Sequence, residues 1–329
     1  MEVRIRKSAG LHNDLLIVIP REEVEDAYLH IANRDRLRAL PGLLRHTWQD
    51  RAEREAVNAC KMPVEGHLRE LSRRGHGLVD DNGRPLRRVV AIGSRNTGNN
   101  HGFVAWQAGE DPPFFHVEGD PLGWPSYSCL VLNQAGRLAI RSLRFREDRV
   151  LEGACDVTAE VAWCVYANWV LRAGRRIPVD EMIDEFYDIL HVLALDRNRP
   201  EEKETLERLF REYPNRFREN ALDCWRRGVP RNRFLHNCLG MCDDNLYIMQ
   251  REGTIEEVAE AMREAGARDG LILDNGGSPF CWAWWPHPSG GFLFTAPDYR
   301  PHASCVLALV LRGGPGTAVP SGSVSHSVA

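Results

Sequence analysis

The run Asp269-Gly270-Leu271-Ile272-Leu273-Asp274-Asn275-Gly276-Gly277-Ser278 sets a carboxylate, Asp274, at the carboxyl end of an apolar stretch that reads as a buried strand. The glycine pair behind it lets the backbone turn sharply and come close to a ligand. A carboxylate in that position can face a developing positive charge. The backbone N–H groups of Asn275, Gly276, Gly277 and Ser278 can be presented to an anion, as glycine-rich turns often do. Asp274, Asn275 and Ser278 also offer oxygen atoms to a hard cation, so a divalent ion is compatible with the turn, although spacing alone does not establish one. The bland alternative is an ordinary helix–strand connection whose glycines serve only a tight turn.

Other residues could share that chemistry. Arg300, in Tyr299-Arg300-Pro301, has the planar fork that grips phosphate oxygens in pairs, or it forms a salt bridge to Asp298. The polar stretch from Asn96 to Gly102 holds Asn99 and Asn100, which could bind sugar hydroxyls, and His101, an acid or base near neutral pH; it also reads as a simple hairpin turn. Phe280-Cys281-Trp282-Ala283-Trp284-Trp285 follows the glycine turn at once. Its aromatic faces, Trp282 among them, could stack on a sugar or a bulky apolar substrate, or fill a core. Alternation is expected to turn one of Trp282 or Trp284 inward, with Trp285 opening the turn at Pro286. His236, beside Phe234 and Leu235, reads on its own as a satisfied structural histidine.

Taken together, the segment from Gly253 to Ser278, the Arg300-Pro301 pair and the apolar run Cys305–Leu311 resemble the C-terminal signature of the phosphodiester glycosidase family, whose lysosomal member removes N-acetylglucosamine from a sugar phosphodiester. There a helix leads to a strand ending in Asp-Gly-Gly-Gly-Ser, followed by Arg-Pro before the last strand. Asn237-Cys238-Leu239-Gly240-Met241 with Leu246-Tyr247-Ile248-Met249 resembles the strand pair before that helix. Ala56-Val57-Asn58, Pro63-Val64-Glu65-Gly66 and the segment from Gly77 to Gly83 resemble an early Asn-Gly and Pro-x-Gly region. The likeness is strong from about 231 to 311, weak from about 50 to 150, and absent in the first 50 residues and about 178–230. It implies Asp274 as the catalytic carboxylate, Glu65 as a second one, and Asn58, Asn275, Gly276, Gly277, Ser278 and Arg300 as substrate contacts. Three positions depart from the pattern: Asn275 replaces the first glycine, Ala59 follows Asn58 where glycine is usual, and His236 stands where an arginine is common, which makes it a catalytic candidate as well.

The implied reaction cleaves a sugar-1-phosphodiester at the anomeric carbon. Its leaving group is a phosphate monoester, so strong general-acid help matters less than for an ordinary glycoside. The demands that remain are a carboxylate near an oxocarbenium-like centre and donors for the phosphate. Two expectations follow: a hydrolase acting on such a compound, within a small-molecule biosynthetic pathway, or a scaffold of the same fold that binds a ligand or runs another reaction in the same cleft.

These residues need elements to hold them. Thr254-Ile255-Glu256-Glu257 fits a capping box, Ile255, Val258, Ala259, Met262 and Ala265 recur at helical spacing, and Gly266 fits the C-terminal cap. Leu15–Ile19 reads as a strand, and Val24, Tyr28, Ile31 and Ala32 have the spacing of a packing or dimerisation helix within 21–58. From Val89 to about Leu143, short apolar runs alternate with turn residues, which means sheet. Val157–Val170 is compatible with helix or strand. From Pro178 to about Trp225 an apolar stripe and a second charged segment predict a helical insertion, about 178–230, that would cap the site or form an interface. The expected organisation is one α+β domain over 1–312, with a mixed or antiparallel sheet core of the phosphodiester glycosidase type, and a disordered tail over 313–329.

Composition bounds the alternatives. Of 329 residues 43% are hydrophobic and 27% charged, as in ordinary globular proteins. A net charge of −4 argues against a general nucleic-acid surface, and no apolar run reaches membrane-spanning length. The start lacks a signal-peptide core, and nine cysteines in no regular framework suit buried free thiols better than disulfides or zinc, Cys238 and Cys242 included. The expectation is a cytoplasmic protein with a small-molecule substrate, no nucleic-acid or membrane partner, no certain cofactor, and room for homo-oligomers.

Overall fold

The computed structural model describes residues 1–6, 14–38, 59–93, 103–117, 126–146, 148–178, 233–275, 280–284, 292–295 and 302–313. The expected helical insertion, the tail beyond Gly313, and most of 21–58 past Arg38 lie outside them.

Every strand pairing among the described residues is antiparallel, and the helices are few, which is an α+β architecture dominated by sheet. The first sheet has seven strands. In spatial order they are Glu2–Arg6, Asp14–Pro20, Asn245–Gly253, Phe234–Met241, Asp269–Asn275, Asn168–Arg172 and Arg175–Arg176. A second seven-stranded antiparallel sheet runs in spatial order from Leu138–Arg146 and Tyr127–Asn133 across Val161–Tyr166 to Phe103–Gln107 and Phe114–Val117, with the short strands Arg149–Glu152 and Cys155–Asp156 on its far edge. A third sheet of five strands runs Phe292–Thr295, Phe280–Trp284, Arg88–Gly93, Cys305–Leu311 and Val24–Ile31.

All three sheets contribute to one central core. Leu15, Ile17, Leu239 and Leu271 come from the first, Leu130, Leu132 and Val165 from the second, and Ala27, Leu29, Ile92, Leu307 and Leu309 from the third. The outer faces of two sheets are covered by helices. Ile255–Ala265 lays Ile255, Val258, Ala259 and Met262 on the outer face of the first sheet, against Cys238, Met249 and Ile272. Val64–Leu71 lays Val64, Leu68 and Leu71 on the outer face of the third, against Val89, Val306 and Val310. The capping box is formed: the Thr254 hydroxyl accepts from the Glu257 N–H, and the Glu257 carboxylate accepts from the Thr254 N–H, while Gly266 closes the helix at φ 107°.

Two readings change at this level. Val24–Ile31 is a strand, not a helix. Ala27, Leu29 and Ile31 face the central core, while Tyr28 and His30 face the helix Val64–Leu71, so both faces are covered and the chance helical spacing of Val24, Tyr28 and Ile31 is overridden by pairing with Cys305–Leu311. The ambiguous stretch 157–170 resolves into parts of two strands, Val161–Tyr166 and Asn168–Arg172, which join the second sheet to the first.

Candidate functional site

Asp274 owes its direction to a register shift. Along Asp269–Asn275, Leu271 and Leu273 enter the central core and Ile272 faces the helix, so simple alternation would send Asp274 toward the helix as well. The ladder with Phe234–Met241 slips between Asn237 and Cys238: Cys238 opposes Ile272, but Asn237 opposes Asp274. The extra residue is a bulge that turns Asp274 to the same side as Asn237, toward the third sheet. Asp274 is 5% exposed there. Burial pushes the thiol of Cys305, on the third sheet, upward, and the charge of Asp274 pushes it the same way. A carboxylate between two sheets is costly to bury, which marks it as a position with a purpose.

The surroundings of Asp274 are polar in an ordered way. Asn237 is 1% exposed, and its Nδ2 donates to the carbonyls of Phe280 at 2.6 Å and Gly93 at 3.3 Å. Its Oδ1 accepts from Gln250 Nε2 at 2.9 Å. Gly93 ends one strand of the third sheet and Phe280 begins its neighbour, and Val306, next to Cys305, opposes Gly93. The carboxyl end of the Asp274 strand therefore meets one particular end of the third sheet.

That end is where several sequence-predicted segments begin or finish. The stretch with Asn99, Asn100 and His101 follows Gly93; Gly276, Gly277 and Ser278 precede Phe280; Arg300 precedes the His302–Ala303 bridge, which pairs with Met62–Pro63 just before Glu65. Asn58, Asn99, Asn100, His101, Gly276, Gly277, Ser278 and Arg300 themselves lie outside the described residues, as does the side chain of Asn275.

The remaining candidates point elsewhere. His236 opposes Asn275, one step from the Asn237–Asp274 pair and therefore on the helix side of the sheet. It is fully buried, and its Nε2 donates to the carbonyl of Gly253 at 3.0 Å. Nδ1 is buried with no partner among the described residues, and burial pushes the ring pKa down to about 4, so the imidazole is neutral. Glu65 is exposed, on the solvent side of the helix Val64–Leu71, whose buried face holds Val64, His67, Leu68 and Leu71. Trp282 is half-buried and packs against the apolar cluster on the outer face of the third sheet, while Cys281 and Ala283 face the central core.

Sequence reasoning passed over a histidine pair beside the same end. His30 and His67, 4% and 0% exposed, approach through their Nδ1 atoms at 2.7 Å, with the rings edge to face. His67 Nε2 meets the Ala303 carbonyl at 3.0 Å, an acceptor, so the proton of His67 sits on Nε2 and its Nδ1 accepts from His30 Nδ1–H. Burial, then the neighbouring His67, Arg74 and Arg34, pushes His30 down to about 3; burial pushes His67 to about 4. Both rings are neutral at pH 7. Histidines inside apolar runs give no sequence signal of their pairing. Asn237 and Gln250 were equally silent, since each reads as an ordinary strand residue.

Among the described residues no three His, Cys, Asp or Glu side chains gather as a metal site, and no helix is long and apolar enough to cross a membrane. Among the described cysteines, Cys60, Cys129, Cys164, Cys238, Cys281 and Cys305 are buried, Cys155 is exposed and Cys242 half-buried.

The fold and site define an antiparallel α+β protein with a buried carboxylate at the junction of two sheets. No protein-family model matches the chain, and no curated protein matches it in sequence. Among solved structures, it is similar to the catalytic domain of zebrafish N-acetylglucosamine-1-phosphodiester alpha-N-acetylglucosaminidase, auto-inhibited by its pro-peptide, at a TM-score of 0.43 and 10% identity over 95% of this chain and 87% of that one. A hypothetical protein from Synechocystis is similar at a TM-score of 0.35 and 11% identity, over 94% of this chain and 61% of the other.

Proposed function

We propose that the chain is a hydrolase of a sugar-1-phosphodiester or a related small-molecule glycoside, with Asp274 as its reactive carboxylate. The observation that carries this reading is the bulge that aims Asp274 into the junction between sheets, at 5% exposure, where chain segments bearing the other candidates begin and end. In the reaction, a water oxygen bonds to the anomeric carbon, and the bond from that carbon to the phosphate oxygen breaks. The phosphate monoester departs with the electron pair, and the water's proton passes to solvent or to a nearby base. Asp274 opposes the positive charge that builds on the sugar ring. Backbone N–H groups of the glycine turn and Arg300 would meet the phosphate.

A second reading has its own support. Where the resembling family commonly carries a permanent cation, His236 is a neutral, fully buried imidazole, which cannot attract a phosphate as a guanidinium does. With Asn275 and Ala59 at two glycine positions, this favours a scaffold that keeps the cleft and binds or converts a different, bulkier ligand.

The assay is release of free sugar from uridine diphosphate N-acetylglucosamine and simple sugar-1-phosphodiesters by wild type and Asp274→Asn. Under the first reading wild type releases sugar, and the substitution lowers turnover by about 10²- to 10⁴-fold while the thermal midpoint stays within a few degrees. Absence of release from folded wild type would set the hydrolase reading aside in favour of the second.

A further inference from the structure

The reading of Asp274 as the reactive group leaves open what fixes its distance from the segments around it, and Asn237 meets that need. Its two amide hydrogens go to two different strands of the third sheet, Arg88–Gly93 and Phe280–Trp284, while its backbone is paired with Asp274 in the first. One side chain thus joins Phe234–Met241, the strand paired with that of the carboxylate, to the strand that leads into 94–102 and to the strand that emerges from 276–279.

The orientation of this amide follows from its partners. Gly93 and Phe280 present carbonyl oxygens, which only accept, so Nδ2 must face them, and Oδ1 must face Gln250. Gln250 then has to turn its own nitrogen inward, and its Oε1 is left buried with no partner among the described residues. Buried acceptors are rarely left unmet. The molecule tolerates one here, and what that arrangement secures is a single setting of the Asn237 amide. Space is equally tight: a Cβ on Gly93 would lie 2.8 Å from the Phe280 ring, so the two strand ends are held as close as a glycine allows.

We infer that Asn237 is a positioning residue, whose amide sets the spacing between Asp274 and the ends of the two facing strands. The inference rests on the proposed role of Asp274 for its catalytic consequence, but the pinning itself can be observed without any substrate.

The test compares wild type, Asn237→Leu and Gln250→Leu by sugar release from uridine diphosphate N-acetylglucosamine and by amide hydrogen exchange of the folded full chain. Asn237→Leu keeps the volume and removes both donors; Gln250→Leu keeps the donors and removes the group that holds Oδ1. The expected result is faster exchange in 88–93 and 280–284 with 127–133 and 138–146 unchanged, and a kcat lowered by about 10- to 100-fold with KM moved by less than about threefold. The Gln250 variant should shift in the same direction by less. If wild type releases no sugar, the hydrolase reading falls and exchange alone decides: a local increase supports the pin, and unchanged exchange overturns it. A uniform increase across all four segments in both variants, or unchanged kcat in an active enzyme, also overturns it, because the amide would then be an ordinary stabilising contact.

Discussion

Gly93 is small because the ring of Phe280 occupies the space a side chain would need. Its Cβ would come within 2.8 Å of that ring, which is part of a strand and cannot swing away as a surface side chain would. Its carbonyl also accepts from Asn237, so any displacement of Gly93 is felt by the amide beside Asp274. Gly93→Ala is therefore expected to cost about 1–3 kcal/mol through overpacking, read as a lowered urea midpoint with unchanged slope. Loss of activity should exceed what the lost stability explains, and a variant as stable as wild type would mean that Phe280 has room to move. His236 has the reverse character. Its ring is neutral and lies on the helix side of the sheet, away from Asp274, with Nδ1 unpartnered among the described residues, so it bears on the site only through Asn237, the next residue of its strand.

The elements differ in how plainly the sequence announces them. The helix Ile255–Ala265 is written in local terms: a capping box, an apolar stripe and a terminal glycine, each formed as read. Thr254→Ala removes the hydroxyl that accepts from the Glu257 N–H, and its cost should be about 1 kcal/mol by urea unfolding. An unchanged midpoint would show that packing against Cys238 and Ile272 alone holds the helix start. The strand carrying Asp274 was equally legible as a strand, because a short apolar run bounded by turn residues has few other fates. Its bulge was not, because register is a relation between two strands and depends on Asn237, far away in sequence. Val24–Ile31 misled for a related reason: covered on both faces, it lost the alternation that marks an exposed strand, and the residues left over fell at helical spacing. The candidate site shows the same division. The carboxylate and its glycine turn could be read locally, whereas the Asn237 amide contacts exist only once two sheets are stacked, and the His30–His67 pair only once the helix Val64–Leu71 lies on the third sheet.

At the scale of the molecule, these buried imidazoles make stability depend on acid. His30 has its pKa lowered to about 3, and His67 and His236 to about 4, against 6.5 for the ordinary side chain. A depressed histidine pKa means that the unfolded chain takes up protons that the folded one refuses. The contribution to stability is complete above pH 6.5 and is lost as the pH falls from there toward 4. Each such histidine supplies a slope approaching 1.4 kcal/mol per pH unit in that window, or about 4 kcal/mol per unit for the set. Arg34 and Arg74 reinforce the sign at His30, while for His67 burial is the largest cause and for His236 it alone lowers the value. Carboxylates held low by partners, such as Glu152 against Arg141, add their own loss as the pH falls through 4.5 and below, at the acid end of the histidine window. Urea midpoints measured at pH 7.5, 6.5, 5.5 and 5.0 should stay level between the first two and then drop steeply. His236→Gln, which cannot take up a proton, should flatten that drop by about one third. A midpoint that holds steady down to pH 5 would mean that all three rings take up protons in the folded state as readily as in the unfolded chain, and the fixed tautomers of the His30–His67 contact would have to be abandoned with it.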